Sequence, residues 1–313
     1  MSSTVVYGTL GAIFNGLLVG SLYSMMALGL SLIYRVTKIP NFAYAEYITY
    51  GSYFAYVAAV SIPGSKGLIP ALLLGLISAA LIALASDELG FKPLWKKGAT
   101  PLQLLVASIG VGLILRYGLL GLIVLVIGSR YLEIATPQRS STIFTLGGLA
   151  SFTTAHALAI STAILLAAGL WFLFTRTKIG KGMRATASNP TLARISGINI
   201  YAMRRLAWLL AGGLAGFSGF VYAYYNVVNP ESGWLMLLWI FAAAIMGGFT
   251  FFGVMIAGVI LGLAQHVISF YGDLYLGVGA KYSPVIALVT LVLVLLFRPE
   301  GVIRMEALAV RRA

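Results

Sequence analysis

Apolar runs separated by short polar intervals follow one another along the whole chain. Their lengths place helical spans at 8–34, 41–60, 68–85, 101–128, 154–174, 206–225 and 283–297. The run 234–271 is too long for a single crossing. At 1.5 Å per residue it would reach about 57 Å, against about 30 Å of hydrocarbon. Gly247, Gly248 and Gly253 divide it into a short piece, 234–246, and a longer one, 254–271. The expected form is a helix pair that dips into the membrane and returns to the same side, its turn protected by neighbouring helices. Two tilted full spans are the alternative. The pattern predicts an all-α polytopic integral membrane protein. It has about eight transmembrane helices, including a broken or re-entrant pair near 234–271, and forms a single membrane domain over 1–313.

The polar intervals carry the remaining signals. Residues 176–205 hold Arg176, Lys178, Lys181, Arg184, Arg194, Arg204 and Arg205, with no acidic residue among them. The centre, RATASNPTLARISGINI (184–200), reads as a short helix with its own start and stop: Asn189 as N-cap, Pro190 in the first position and Gly197 as the left-handed terminator. Positive charge alone would need no capped helix, so the segment reads as a docking element. Its strong basic excess belongs on the cytoplasmic side. Counting spans from there puts 35–40 and 86–100 inside, 61–67 and 129–153 outside, the N-terminus outside and the C-terminus inside. The outer interval 129–153 has mixed charge (Arg130, Glu133, Arg139), and the inner tail carries Arg298, Arg304, Arg311 and Arg312. The outer arginines of 176–205, Arg204 and Arg205 among them, read as orientation signals.

Composition agrees. The chain is 60% hydrophobic and 9% charged with a mean hydropathy of +0.97, whereas soluble domains carry about 25% charged residues. A net charge of +13 would suggest nucleic acid for a soluble protein, but the inside bias of Lys and Arg accounts for it, and no nucleic-acid partner is expected. There is no cysteine, so thiolate metal sites are excluded, and His156 and His266 stand far apart without ligand partners. No Lys or Arg precedes Arg35, so the first apolar run reads as a retained span rather than a signal peptide. The glycine-rich GGFTFFG lacks the lysine of a phosphate loop. No nucleophile–base pair, metal set or carboxylate relay is visible, so the chain itself is not expected to be an enzyme or to hold a metal or cofactor.

Two polar intrusions stand out. NFAYAEYITYGSY (41–53) follows the break at Pro40 and puts Asn41, Tyr44 and Glu46 at the start of a span. Either they line a polar path where the helix is unwound, or Glu46 lies in the headgroup zone near Arg35 and Lys38. Arg116 lies near the middle of its span, and a break near Gly118 would let it snorkel toward the outer surface; a functional role is the alternative. Spans 1 and 6 also end alike, each passing into a short or interrupted helix while running in opposite directions, as in inverted repeats.

These motifs resemble a known family. FNGLLVGSLYSMMALGLSLIYRV followed by NFAYAEYITYGSY is similar to the opening of the permeases of branched-chain amino acid (LIV-type) ABC importers, specifically the H-type subunit. Tyr44 and Ala45 stand where that family has His and Gly. Arg184, Ala185, Ala187, Asn189, Ala193, Gly197 and Ile198 match its loop pattern. FAAAIMGGFTFFGVMIAGVILGLAQ and the terminal RPEG resemble its late motifs. The resemblance implies a permease subunit of an ATP-driven importer in the inner membrane, carrying branched-chain or related amino acids. Residues 189–197 would be the helix that couples it to an ATPase through Arg184, Asn189, Pro190, Ala193 and Gly197. Asn41, Tyr44, Glu46, Gly51, Gly247 and Gly248 become the candidate substrate path. Implied partners are a second, M-type permease, two ATP-binding subunits that hold ATP and Mg, and an extracytoplasmic binding protein. The competing function is a stand-alone channel or secondary carrier for a small polar solute such as urea or an amide.

Overall fold

A computed structural model describes residues 2–62, 65–127, 134, 140–277 and 283–297. Arg130, Glu133, Arg139, the RPEG motif and the tail arginines Arg304, Arg311 and Arg312 lie outside the described residues. Among the described residues the regular structure is helical apart from one hairpin and an isolated bridge between Ile134 and Val228. Its helices are α1 (Ser2–Thr37), α2 (Tyr44–Ser61), α3 (Leu68–Ser86), α4 (Lys92–Lys96), α5 (Pro101–Ile127), α6 (Thr154–Arg176), α7 (Lys178–Ser188), α8 (Pro190–Ile195), α9 (Ile200–Tyr225), α10 (Ser232–Met246), α11 (Phe251–Leu276) and α12 (Ser283–Phe297). Among the described residues six segments are long and apolar enough to cross a membrane, and shorter apolar helices accompany them. The protein is a polytopic all-α membrane protein, as the apolar pattern predicts.

Three boundaries differ from the sequence reading. The interval 87–100 was expected to be a polar loop. Instead a π-helical turn, Asp87–Phe91, joins α3 to α4 without interrupting the span, which runs to Lys96. The outer interval ends in an antiparallel hairpin, β1 (Thr142–Leu146) with β2 (Ala150–Thr153), turned by Gly147 and Gly148 at φ 57° and 73°. α11 is longer than the predicted 254–271 and at 26 residues reaches about 39 Å. α10, with 15 residues, reaches only about 22 Å. The pair is thus one part-length and one full-length helix.

The chain divides into two compact units. Unit one comprises 1–31, 140–167 and 238–313; unit two comprises 32–139 and 168–237. In unit one α1 and α11 run antiparallel. A side chain on Gly20 would lie 2.8 Å from Val259 Cα, and one on Gly16 2.9 Å from Leu263 Cα, so the backbones touch there. Tyr23 stacks on Trp239 with centroids 5.2 Å apart and donates to Gln265 Oε1 at 2.7 Å. Ser24 Oγ donates to Met255 O at 2.8 Å.

Unit two is built around α2, where every residue from Tyr44 to Tyr53 is buried. A helix buried on all sides needs neighbours on all sides, and α3, α5 and α9 supply them. Backbones meet where Gly51 faces Gly216, at 2.5 Å from a virtual side chain to Cα, and where Gly75 faces the carbonyl of Gly51. The order of these contacts makes α5 and α9 parallel to α2, and α3 antiparallel to it. Span counting from the basic loops predicts the same relative directions.

Candidate functional site

α1 ends at a break. Lys38 adopts φ 58°, Pro40 follows, and the next turn is pinned by Ser108 of α5, whose hydroxyl accepts from Phe42 N at 3.0 Å. Ala43 then lies against Gly112. Gly112 is eleven residues into α5, so α2 starts about 16 Å from that helix's end. α2 is therefore a part-length helix with its first turn inside the spanning region.

Glu46 stands in that first turn and is 1% exposed. Arg116 reaches it with Nε at 3.1 Å and Nη2 at 2.6 Å, both on Oε1. Oε2 is buried and has no hydrogen-bond partner among the described residues. The guanidinium carbon lies 4.5 Å from the Trp234 ring centroid. Gly233 N donates to Thr49 Oγ1 at 3.0 Å, which brings the start of α10 beside α2. This decides between the alternatives open for Glu46 and for Arg116. Glu46 is not a headgroup residue near Arg35 and Lys38, and Arg116 does not snorkel: α5 is unbroken through Gly118, and its arginine turns inward because an unpaired charge in hydrocarbon is costly.

A second buried pair was missed. Arg204 Nε meets Asp87 Oδ1 and Oδ2 at 3.0 and 2.9 Å, and Nη2 meets Oδ1 at 2.5 Å. Its guanidinium stacks over Trp95 at 5.1 Å. Arg204 is therefore no mere orientation signal. Each buried arginine has a carboxylate on one side and an indole on the other. Tyr47, one residue after Glu46, packs against Trp208 and lies near Asp87. Asn41 and the Tyr47 hydroxyl are buried close together, yet among the described residues neither forms a well-aligned hydrogen bond, and Trp208 Nε1 has no partner there either. Tyr44 OH makes a long contact of 3.5 Å to Ala211 O. Glu46 and Arg116 each stand out in the sequence as a charge in an apolar run. Asp87 gave no such signal, because a polar residue at the end of a run reads as loop.

Of the residues expected to line a path, Asn41, Tyr44, Glu46 and Gly51 fall together in unit two, whereas Gly247 and Gly248 belong to unit one. There Gly248 (φ 59°) and Phe249 (φ 53°) turn the chain, and Thr250 Oγ1 caps α11 by accepting from Gly253 N at 3.1 Å.

The basic segment forms two helices. Thr177 caps α7, its hydroxyl accepting from Gly180 N at 3.1 Å. Asn189 Oδ1 accepts from Leu192 N at 3.0 Å, Pro190 opens α8, and Gly197 at φ 80° ends it, with Ile198 N returning to Ala193 O at 3.0 Å. Ala193 is buried, but Leu192 and Ile195 are 61% and 79% exposed. Arg184 lies on α7, five residues before this cap.

The model of the family described as branched-chain amino acid transport system / permease component matches residues 12–295. The chain belongs to this permease family. A probable branched-chain amino acid transport permease LivH from Methanocaldococcus jannaschii is 32% identical over 298 residues, covering 92% of this chain and 90% of the relative. The high-affinity branched-chain amino acid permease BraD of Pseudomonas aeruginosa is 28% identical, covering 95% and 96%. LivH of Escherichia coli is also 28% identical, covering 97% of each chain. The resemblance drawn from the motifs is borne out: the permease aligns with LivH-type subunits over nearly its whole length, and its family members are transport proteins of the membrane.

Proposed function

We propose that the protein is the transmembrane permease subunit of an ATP-driven importer for branched-chain or related amino acids, and that residues 189–197 couple it to an ATPase. The observation that carries this reading is α8. A short, capped helix presents Leu192 and Ile195 to its surroundings, in a segment whose charge places it on the cytoplasmic side. Exposed aliphatics on a solvated helix are a docking feature. Arg184, Asn189, Pro190, Ala193 and Gly197 then hold α8 in shape for its partner. The chain acts as one permease domain and carries no catalytic, metal or cofactor site. ATP and Mg are held by two separate ATPase subunits, and an M-type permease and an extracytoplasmic binding protein complete the assembly. The N-terminus lies outside and the C-terminus in the cytoplasm, an orientation supported by the parallel run of α2, α5 and α9.

Asn41, Tyr44, Glu46, Gly51, Gly247 and Gly248 are assigned to the solute path. Support comes from the unpartnered Asn41 amide and Glu46 oxygen, since buried polar groups inside a membrane are costly and mark function. Gly51 enters as the contact that seats α2. The decisive experiment co-purifies the tagged chain with its ATPase from native membranes and measures leucine uptake. Gly197→Arg and Leu192→Glu/Ile195→Glu should each lose the ATPase and the uptake. Retention of both would overturn the docking role, and uptake by the chain without any ATPase would favour the stand-alone carrier.

A further inference from the structure

The end of unit two that carries α4 and the start of α9 holds a charge surplus that neither packing nor the buried pairs consume. A cavity of about 330 Å³ is lined by Lys92, Lys96, Asn199, Tyr201, Ala202 and Arg205. A second, of about 260 Å³, shares Tyr201 with it and reaches Lys38, Trp95 and Pro190. Lys92 Nζ lies 5.9 Å and Lys96 Nζ 5.5 Å from the centre of the Tyr201 ring, so both ammonium groups face the same ring. Glu88 bonds both Lys92 and Arg205. Among the described residues Lys96 has no carboxylate within ion-pair distance. Three cations (Lys92, Lys96, Arg205) against one carboxylate leave the first cavity with a surplus of two positive charges.

Exposed leucines occur on the same stretch of chain. Leu89 is 82% exposed, and Leu94 and Leu102 are exposed as well. Lys92 and Lys96 belong to the last turns of a membrane span ending at Lys96. Trp95 meets Tyr201 edge to face at 6.2 Å, and paired aromatics of this kind sit at the headgroup level. Cations at headgroup depth, with the exposed Leu89 one turn before Lys92 on the same continuous span, match an amphiphile better than a soluble anion. Basic pockets between helices are known to hold anionic headgroups.

We propose that this groove binds the phosphate of an anionic membrane lipid, held by Lys92, Lys96 and Arg205, with an acyl chain lying along Leu89. The inference does not depend on ATPase docking, and its readout is lipid binding alone. Native mass spectrometry of the purified full chain, given equal phosphatidylglycerol and phosphatidylcholine, should show preferential retention of phosphatidylglycerol. Lys92→Gln/Lys96→Gln should weaken that retention about 10- to 30-fold, from the usual contribution per basic residue. Lys92→Arg/Lys96→Arg should retain it, and Lys178→Gln/Lys181→Gln on α7 should leave it unchanged. Equal retention of the two lipids, or a Gln variant that binds as the parent does, would overturn the site. Displacement of the lipid by millimolar inorganic phosphate would make it a site for a soluble anion and overturn the lipid assignment. Should the Gln pair not fold, Lys96→Gln alone carries the same test, because among the described residues Lys96 has no carboxylate to leave behind.

Discussion

The two units use the same packing and different chemistry. In unit one α1 and α11 meet through Gly16, Gly20, Gly258 and Gly262; in unit two α2, α3 and α9 meet through Gly51, Gly75, Gly212 and Gly216. The order of helices is also related. Each unit takes a part-length helix and its successor, α2 with α3 or most of α10 with α11, together with the long helix that precedes the other part-length helix. This is the exchange expected of two related repeats, in keeping with the echo between spans 1 and 6. The polar links diverge. Among the described residues unit one joins its helices by neutral bonds, Tyr23 to Gln265 and Thr9 to Tyr271, while the ion pairs all lie in unit two. Close helix packing in lipid needs small residues and not charges. The buried arginines of unit two are therefore an addition to a shared frame, and function is to be sought with them.

The largest expected effect breaks both frames alike. Gly216→Val would drive a side chain into the backbone of Gly75, and Gly258→Val one into Ser24. Neither obstacle can rotate away. Both variants should lose the monodisperse peak of folded protein on size-exclusion chromatography. If one unit tolerates its valine, the packing is not shared and the comparison fails.

Next in size are the charges. Arg116→Ala leaves Glu46 buried without a counter-charge, and Asp87→Asn does the same to Arg204; removing one partner of a buried pair costs about 3–5 kcal/mol. Gln265→Leu in unit one removes the neutral bond from the Tyr23 hydroxyl, a loss of about 1 kcal/mol. Thermal melts in one detergent compare the three. Arg116→Gln/Glu46→Gln removes both charges and should recover much of the stability lost in Arg116→Ala, while leucine uptake stays impaired if the pair serves the path. Recovery of uptake along with stability would reduce the pair to a structural one.

How far the sequence could reach depends on the kind of signal. Spans show in the apolar period because lipid demands a run of about 20 residues, and α5 and α12 came out within a residue or two. The ends of α8 were legible because caps are local: Asn189, Pro190 and Gly197 act within a turn of themselves. The continuation of α3 to Lys96 was not, since Asp87 and Glu88 are stabilised by Arg204 and Arg205, 117 positions away. The hairpin at 142–153 was hidden inside a polar interval whose glycines read only as a loop. Glu46 and Arg116 were each visible as anomalies, but the sequence gives no distance between them. What joined them is the depth at which α2 begins, which follows from Ser108 and Gly112 of α5 and not from residues near Glu46.

A smaller effect tests the docking element. Asn189→Ala removes the acceptor for Leu192 N, and a lost N-cap costs about 1 kcal/mol. α8 has only six residues, so it has little else to hold its first turn. Global melting should hardly change, while retention of the ATPase on a tagged chain should fall, with Asn189→Asp restoring it. Unchanged retention in the alanine variant would mean that α8 does not need its cap to dock.

The smallest effect separates two neighbouring acids on one π-helical turn. Asp87 is buried and bidentate with Arg204, whereas Glu88 is partly exposed and paired with Arg205, itself largely in solvent. Exposed pairs contribute little, because water screens them and long side chains lose freedom in making them. Glu88→Gln should therefore leave the melting temperature unshifted where Asp87→Asn lowers it sharply. The same change raises the positive surplus beside Lys92 and Lys96, so retention of phosphatidylglycerol should increase. A variant that melts early and binds no more lipid would place Glu88 with the buried pair, and the line between frame-supporting and surface charge in unit two would have to be moved outward by one residue.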